Sequence, residues 1–456
     1  MAPRAPRRIL MISTHGYVSA QPELGRPDTG GQVVYVLELS ASLARLGYRV
    51  DIMTRRFEDQ PAIEQVAEHV RIVRVPAGGP DLIRKEWLCD AIPEWIVNAE
   101  RYIRAKSLQY RFIDSHYWDA GLAGDGLAAR LGIPHLHTPH SLGTWKRDNM
   151  DGDPATLDGE YNFTRRIHDE RAVYASADAL IATTPQQRDL LREPEYDVPA
   201  EKIAMIPPGF DDARFFPVSA ATRTALKRDL GVDGPLILAL GRVAANKGWD
   251  LLITSLPTVL SRVPGATLLL AVGSTDPTPG EMQQVEALRR LAAELGVADH
   301  IRFDDHIADE ALADTYRAAD VFALSSRYEP FGMTAVEAMA CGTPTVITTE
   351  GGLWEMVTWG LEALYANPLD PEAFGQALAT VLLYPRVAEQ LSRFGSQRAR
   401  STFTWNGIAQ QLLSVEHVAE RPAPVVAPGD RRGPRAAITV GDRMARELEW
   451  ARSGSS

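Results

Sequence analysis

The chain runs to 456 residues and carries 48 Lys and Arg against 59 Asp and Glu, a formal net charge of −11. That length allows two or three domains with sizeable cores, and 45% apolar with 23% charged residues excludes a disordered polymer. The acidic balance argues against duplex nucleic acid as the main partner, and two distant cysteines, Cys89 and Cys341, give no support to a disulfide framework or a zinc knuckle.

The opening MAPRAPRR is basic, but the apolar run behind it, Ile9 to Ile12, is too short for a signal-peptide core. No run of about 18 apolar residues occurs, so no membrane span is expected. With the cysteine usage this points to a reducing, cytoplasmic compartment. Ile9 to Ser13 reads as a short buried strand, followed by a polar stretch that ends at Asp28-Thr-Gly-Gly31. From Gln32 to Leu46 apolar residues recur at helical spacing, Gly47 supplies a stop, and Arg49 to Met53 is the next strand. That is a βαβ unit, the building block of a parallel doubly wound sheet. The alternation continues through Phe112–Asp114, Leu122–Leu131, Pro134–His137 and Ala179–Ala182.

A second series begins after Pro207-Pro-Gly209. Strands are predicted at Leu236–Leu240, Ala266–Val272, Ile301–Phe303, Val321–Leu324 and Thr345–Ile347, with helical stretches between. The fold class is therefore α/β, with two doubly wound domains and a hinge near 208–220. From Arg421 the chain is rich in Pro, Arg, Gly and Ala, which predicts a loosely ordered tail with one short helix near Arg443–Trp450.

Four segments are candidates to carry chemistry. At Asp28-Thr-Gly-Gly31 the glycines let backbone N–H groups approach a ligand, although a bare Gly-Gly pair is more often a plain turn. No GxGxxG is present, which weakens a nicotinamide-dehydrogenase reading. Gly241-Arg-Val-Ala-Ala-Asn-Lys-Gly248 ends a parallel strand, where ligands of open α/β sheets lie. Arg242 and Lys247 there suit a diphosphate, with a solvated basic loop as the alternative.

The most specific segment is Ser326-Arg-Tyr-Glu-Pro-Phe-Gly-Met-Thr-Ala-Val-Glu337. Pro330 and Gly332 mark a turn and Thr334 to Ala340 reads as a helix, so Glu329 precedes the helix and Glu337 lies about two turns on. Two carboxylates so placed can accept hydroxyls from different parts of an extended ligand, with the helix N-terminus near its phosphates. The fourth segment is His135-Leu-His-Thr-Pro-His140, with His116 upstream. No acidic or cysteine partner accompanies these histidines, so a metal site is not expected. His135 and His137 alternate along a strand and read as core or supporting residues. Pro139 places His140 at the strand end, where it can hydrogen-bond a substrate hydroxyl. Lys85, Arg165 and Arg166 are candidates to hold a second phosphate, against the alternative of solvated surface charge.

Together these segments resemble the retaining glycosyltransferases of family 4, whose GT-B fold has two facing Rossmann-like domains. The resemblance covers most of residues 8–418, and its most specific element is the pair Glu329 and Glu337 in EPFGMTAVE. STHGYV (13–18), DTGGQVVYVLEL (28–39), TRRFEDQP (54–61), SHYWDAGLAG (115–124), HTPHSLGTWK (137–146), RFFPVS (214–219) and FTWNGIAQQLL (403–413) are similar to the sucrose-phosphate synthase group within it.

The resemblance implies an acceptor-binding domain over 1–210, completed by a helix at about 404–418. A nucleotide-sugar-binding domain over 211–403 and a disordered tail over 421–456 follow. It implies transfer of mannose from GDP-mannose to fructose 6-phosphate, or, as the alternative, of glucose from UDP-glucose. Arg242 and Lys247 would hold the diphosphate, Glu337 the nucleotide ribose and Glu329 a hydroxyl of the transferred sugar. The backbone at Gly332, Met333 and Thr334 would meet phosphate and sugar, and His140 the donor sugar. The acceptor would sit near Gly31 and Gln32, its phosphate held by Lys85, Arg165 and Arg166, with Tyr117 and Asp119 as further acceptor-side candidates. Attack from the front face would need no enzyme nucleophile and no dedicated metal site, with Mg²⁺ as an assisting ion and no tightly bound cofactor. A sugar-phosphate phosphatase is the implied functional partner.

One departure concerns Ile301-Arg-Phe-Asp-Asp-His-Ile307, which replaces a Gly-aromatic pattern frequent in the family beside the nucleobase, so guanine and uracil both stay open. Two readings from other classes are weaker. A non-catalytic nucleotide-sugar sensor is disfavoured because His140, Arg242, Lys247, Glu329 and Glu337 are all present. A glycosidase is disfavoured because its two carboxylates would flank a bond instead of sharing one loop–helix unit.

Overall fold

The computed structural model describes residues 7–22, 29–150, 152–273 and 277–415. The segment before Thr29 that includes Asp28, and the predicted tail beyond Arg421 with its short helix, lie outside the described residues. The chain divides into two compact units. One takes residues up to Thr183, Gln187–Ile206 and the chain from Ala409; the other takes Thr184–Gln186 and Pro207–Ile408.

The first unit is built on β1 (Arg8–Ile12), β2 (Arg49–Arg56), β3 (Ile63–Ala67), β4 (Val70–Pro76), β5 (Ile113–His116), β6 (His135–Thr138), β7 (Ala179–Ala182) and β8 (Ile203–Met205), in the sheet order β3-β4-β2-β1-β5-β6-β7-β8. All neighbours are parallel except β3 and β4, an antiparallel hairpin at one edge that the strand pattern did not predict. β1 is buried from Ile9 to Ile12, as a strand covered by helices on both faces must be. Helix Gly31–Arg45 buries Val33, Val36, Leu37, Leu39 and Leu43, the stripe its spacing predicts.

Helix Trp118–Leu131 starts four residues earlier than the predicted Leu122, because Asp119 and Gly121 pack into the interior and extend the buried face. Gly121 and Gly124 on that helix lie directly against the rings of His137 and His135, where any Cβ would collide. Both rings bond the Ser115 hydroxyl, at 2.7 Å from His135 Nε2 and 2.8 Å from His137 Nδ1. Burial pushes the His135 imidazole down to about 3, so it is a neutral core residue at physiological pH.

The second unit carries β9 (Leu236–Gly241), β10 (Thr267–Val272), β11 (Ile301–Asp304), β12 (Val321–Leu324), β13 (Thr345–Thr348) and β14 (Leu364–Ala366), all parallel in the order β11-β10-β9-β12-β13-β14. Leu236, Ile237, Leu238 and Ala239 of β9 are fully buried and feed two apolar clusters on opposite faces of the sheet. The strand order reverses direction between β1 and β5 in the first sheet and between β9 and β12 in the second. Such switch points open a crevice at the carboxyl ends of the strands. Among the described residues no helix is long and apolar enough to cross a membrane.

Candidate active site

At the switch point of the first unit, Ser13, Thr14 and His15 follow β1. Gln32, in the first turn of helix Gly31–Arg45, donates from Nε2 to Ser13 Oγ and to the His116 carbonyl, both at 3.1 Å. It thereby ties the end of β1 to the end of β5. Gly31 beside it is exposed, and the space where its side chain would stand is open to at least 4 Å. Asp119, fully buried in the first turn of helix Trp118–Leu131, accepts from Thr14 Oγ1 and lies 2.9 Å from His15 Nδ1.

Two non-glycine residues directly beyond adjacent strands adopt positive φ. Tyr117, after β5, has φ 76° and ψ 162°; His140, two residues after β6, has φ 59°. Such conformations cost on the order of 1–3 kcal/mol and persist where the surroundings over-determine them. For Tyr117 these are its N–H to the Thr138 carbonyl at 3.0 Å, a T-shaped contact with the His15 ring at 4.9 Å between centroids, and its hydroxyl accepting from Arg166 Nη1 at 2.8 Å. His140 stands edge-on to Tyr35 at 4.9 Å, with its Nε2 3.0 Å from His116 Nδ1. Burial and the neighbouring His15 push its imidazole down to about 3, so the ring is neutral.

The three basic residues expected to hold a phosphate differ in setting. Arg166 is turned inward and only 3% exposed. It pairs with Glu170 at 2.7 Å and donates to Tyr117 and to the Ser141 carbonyl. It is built into the support of Tyr117 and is not an open cation. Lys85 is a quarter exposed, 3.0 Å from Glu86, and its charge reaches Tyr117. Arg165 is a third exposed and bonds Asp169 at 2.6 Å. The structure thus gathers Lys85, Tyr117 and Arg166, with Arg165 beside them on the same helix as Arg166, and leaves Lys85 and Arg165 as the cations that reach solvent.

In the second unit, β9 runs out at Gly241 and exposed Arg242 follows. The turn then folds back under the end of β12. Gly248 has φ 65° and lies so close to the Ser325 carbonyl that a side chain has no room. This contact, with Asn246 Nδ2 donating to the Tyr328 carbonyl at 3.1 Å, sets the loop after β9 against the loop after β12. Lys247 Nζ consequently sits 2.6 Å from Glu329 Oε2, and Ser326 Oγ donates to the same oxygen at 3.0 Å. Oε1 of Glu329 takes no hydrogen bond from the described residues. The Glu329 N–H bonds the Glu350 carbonyl at 2.9 Å, which fixes the backbone that carries it.

Gly332 has φ 107° and caps helix Met333–Ala340. The N–H groups of Met333 and Thr334 belong to its first turn, which has no intrahelical acceptors and favours anions. Glu337, on the same helix, accepts from the Tyr316 hydroxyl at 2.8 Å. Burial pushes its carboxyl up to about 7, against the bond from Tyr316 and the charge of Arg214. Among the described residues no group of three or more His, Cys, Asp or Glu side chains is placed to hold a metal ion. Ser326, Asn246, Tyr316 and His15 are site features that the sequence pattern did not assign, and Asp119, an expected acceptor-side residue, was not expected to pair with His15. Only His15 carried a signal, its place directly after the first strand.

Two Rossmann-like α/β units, one of them ending in a lysine–glutamate pair and a helix N-terminus at its switch point, define a glycosyltransferase of the GT-B type. The chain belongs to the group 1 glycosyltransferases: residues 223–398 match the family described as glycosyl transferases group 1, and residues 30–209 match the glycosyl transferase 4-like domain. It is 53% identical over 412 residues to the mannosylfructose-phosphate synthase of Agrobacterium fabrum, covering 90% of each chain. It is 35% identical over 433 residues to a D-inositol 3-phosphate glycosyltransferase of Xylanimonas cellulosilytica, covering 92% of this chain and 99% of that one. Among solved structures, sucrose-phosphate synthase from Thermosynechococcus elongatus superposes with a TM-score of 0.76 at 32% identity, covering 90% of this chain and 98% of that one.

Proposed function

We propose that the chain transfers mannose from GDP-mannose to fructose 6-phosphate, with retention at the anomeric carbon, to give mannosylfructose phosphate. The observation that carries this reading is the 53% identity, over 90% of both chains, to a mannosylfructose-phosphate synthase.

In this reading the second unit takes the nucleotide sugar. Arg242 and Lys247 neutralise the diphosphate as it leaves, and the first-turn N–H groups of Met333 and Thr334 meet phosphate and sugar oxygens. Because Lys247 and Ser326 both occupy Oε2 of Glu329, Oε1 is the oxygen that accepts a sugar hydroxyl. Glu337 accepts from the ribose. The first unit takes the acceptor, with Gly31 and Gln32 at the fructose moiety, Tyr117 and Asp119 beside it, and Lys85 and Arg165 on its phosphate. Arg166 acts through Tyr117. His140 hydrogen-bonds the transferred sugar as a neutral imidazole.

In the chemical step the bond from the anomeric carbon to the diphosphate oxygen breaks on the same face on which the acceptor oxygen attacks. The departing phosphate oxygen takes the acceptor's proton, so no protein nucleophile is required. The product is a phosphate monoester, whose use as a free disaccharide requires a phosphatase as the following partner.

A second reading, glucose transfer from UDP-glucose to the same acceptor, is favoured by the 32% identity to a sucrose-phosphate synthase and the superposition with it over 90% of this chain. Purified protein with fructose 6-phosphate and each donor in turn, scored by nucleotide release, separates the two. Release of GDP alone supports the mannosyl reading, and release of UDP alone replaces it with the glucosyl one.

A further inference from the structure

Beneath His140 lies a row of buried polar groups that the transfer step does not use. Asp114 and His116 alternate on β5 and so project to the same face of the sheet. Both are 0% exposed, with Asp114 Oδ2 3.5 Å from His116 Nε2. His116 Nδ1 is 3.0 Å from His140 Nε2. Neither oxygen of Asp114 nor His116 Nε2 makes a well-formed hydrogen bond, and the Thr138 hydroxyl, buried in register with His116 on β6, lies near enough to Asp114 to act on its carboxyl as a donor. Buried polar atoms without well-formed bonds are rare, and here Asp114 Oδ2 and His116 Nε2 face one another at 3.5 Å.

We propose that Asp114 and His116 are a positioning pair that makes His140 a hydrogen-bond donor at Nδ1, directed at an oxygen of the transferred sugar. The order of donors follows from the surroundings of Asp114. The groups that face this row are Tyr35 from helix Gly31–Arg45, Thr138 and His137 from β6, and His140 itself, none of them cationic at neutral pH. An ionised carboxylate there has no counter-charge, and burial, against the Thr138 hydroxyl, drives the group well above the ordinary carboxylate range towards its acid form. A carboxylic acid donates its O–H to His116 Nε2. His116 must then carry its proton on Nδ1 and donate it to His140 Nε2. His140 is left with its proton on Nδ1, which takes no bond from the described residues. The positive φ of His140 and the ring of Tyr35 fix where that proton points.

Only the identity of the target oxygen rests on the transferase reading; the proton order does not. The test is therefore a long-range proton–nitrogen NMR spectrum of the full-length protein labelled with ¹⁵N-histidine, recorded without substrate. His140 is expected to carry its proton on Nδ1. A proton on Nε2 overturns the proposal, whichever donor sugar the enzyme uses. Two variants then ask what sets that state. Asp114→Asn keeps an N–H donor toward His116 and is expected to retain both the tautomer and kcat/KM. Asp114→Ala removes the donor and is expected to give a mixed His140 tautomer with kcat/KM for the nucleotide sugar down about tenfold, the loss of one oriented hydrogen bond. An unchanged tautomer in Asp114→Ala, or equal losses in both variants, contradicts the positioning role.

Discussion

Lys247 and Glu329 are 82 residues apart in the sequence and 2.6 Å apart in the fold, joined because the loops after β9 and β12 leave their sheet at the same switch point. The pair sits partly open, with side chains 20% and 11% exposed, so each partner keeps a face for a ligand. A cation for phosphate and a carboxylate for a hydroxyl in direct contact match the two chemistries that a nucleotide sugar presents around its scissile bond.

Glu329→Ala is accordingly expected to lower kcat by about 10²–10³, the range seen when one preorganised polar group at a reacting centre is removed. Its melting temperature should stay close to wild type. Because Lys247 and Glu329 act as a unit, the double variant with Lys247→Ala should lose less than the product of the two single losses. Steady-state rates of the four proteins decide this, and a near-normal rate for Glu329→Ala would remove the residue from the site.

Glu337 provides a pH signature. Burial pushes its carboxyl up to about 7 in the free protein, and in the proposed reading the ribose hydroxyls would need the ionised form as acceptor. Below pH 7 binding must first expel a proton, so GDP affinity should fall by up to about tenfold per pH unit. It should level off above pH 8. Glu337→Gln should flatten the profile. The raised value also means that wild-type stability declines as pH rises from the unfolded value of 4.5 through 7, a decline that the Gln variant should lack. Calorimetric titration of GDP between pH 5.5 and 8.5 and melting curves over the same interval read both effects.

The basic residues of the first unit should separate by function. Lys85→Ala is expected to raise the KM for fructose 6-phosphate several-fold with stability unchanged, since its pair with Glu86 is partly solvated. Arg166→Ala strands Glu170 in the interior and should cost about 3–5 kcal/mol in urea unfolding. An Arg166→Ala protein as stable as wild type would mean that the guanidinium is not the buried support of Tyr117.

Gly124→Ala tests the interior histidines. A methyl there meets the His135 ring, and overpacking of this kind costs about 1–3 kcal/mol. Thermal unfolding of that variant should show the loss, whereas Gly159→Ala, with open space at its side-chain position, should not.

The two doubly wound sheets were legible, because β1, β9 and β12 are apolar runs between helices with clear stripes, whereas the order of the strands within each sheet was not read from the sequence. The β3–β4 hairpin was not, since β3 is a largely exposed edge strand of Ile-Glu-Gln-Val-Ala with little buried pattern to read. Glu329, Lys247 and Arg242 stood out by motif, but the contact between the first two depends on the loop packing at Gly248. The inward turn of Arg166 did have a local sign, Glu170 four residues on along the same helix, a spacing that pairs charges. His15 and Asp119 lie 104 residues apart, and the positive φ of Tyr117 leaves no mark on its residue type. The Lys247–Glu329 contact and the His15–Asp119 pair escaped the sequence because both depend on long-range packing.

The most direct test of the account is the structure of the product. Incubation with GDP-mannose and fructose 6-phosphate, followed by NMR of the isolated sugar, should show a mannosylfructose phosphate that keeps the anomeric configuration of the donor. A product of inverted configuration, or free mannose released to water with no disaccharide, would contradict it.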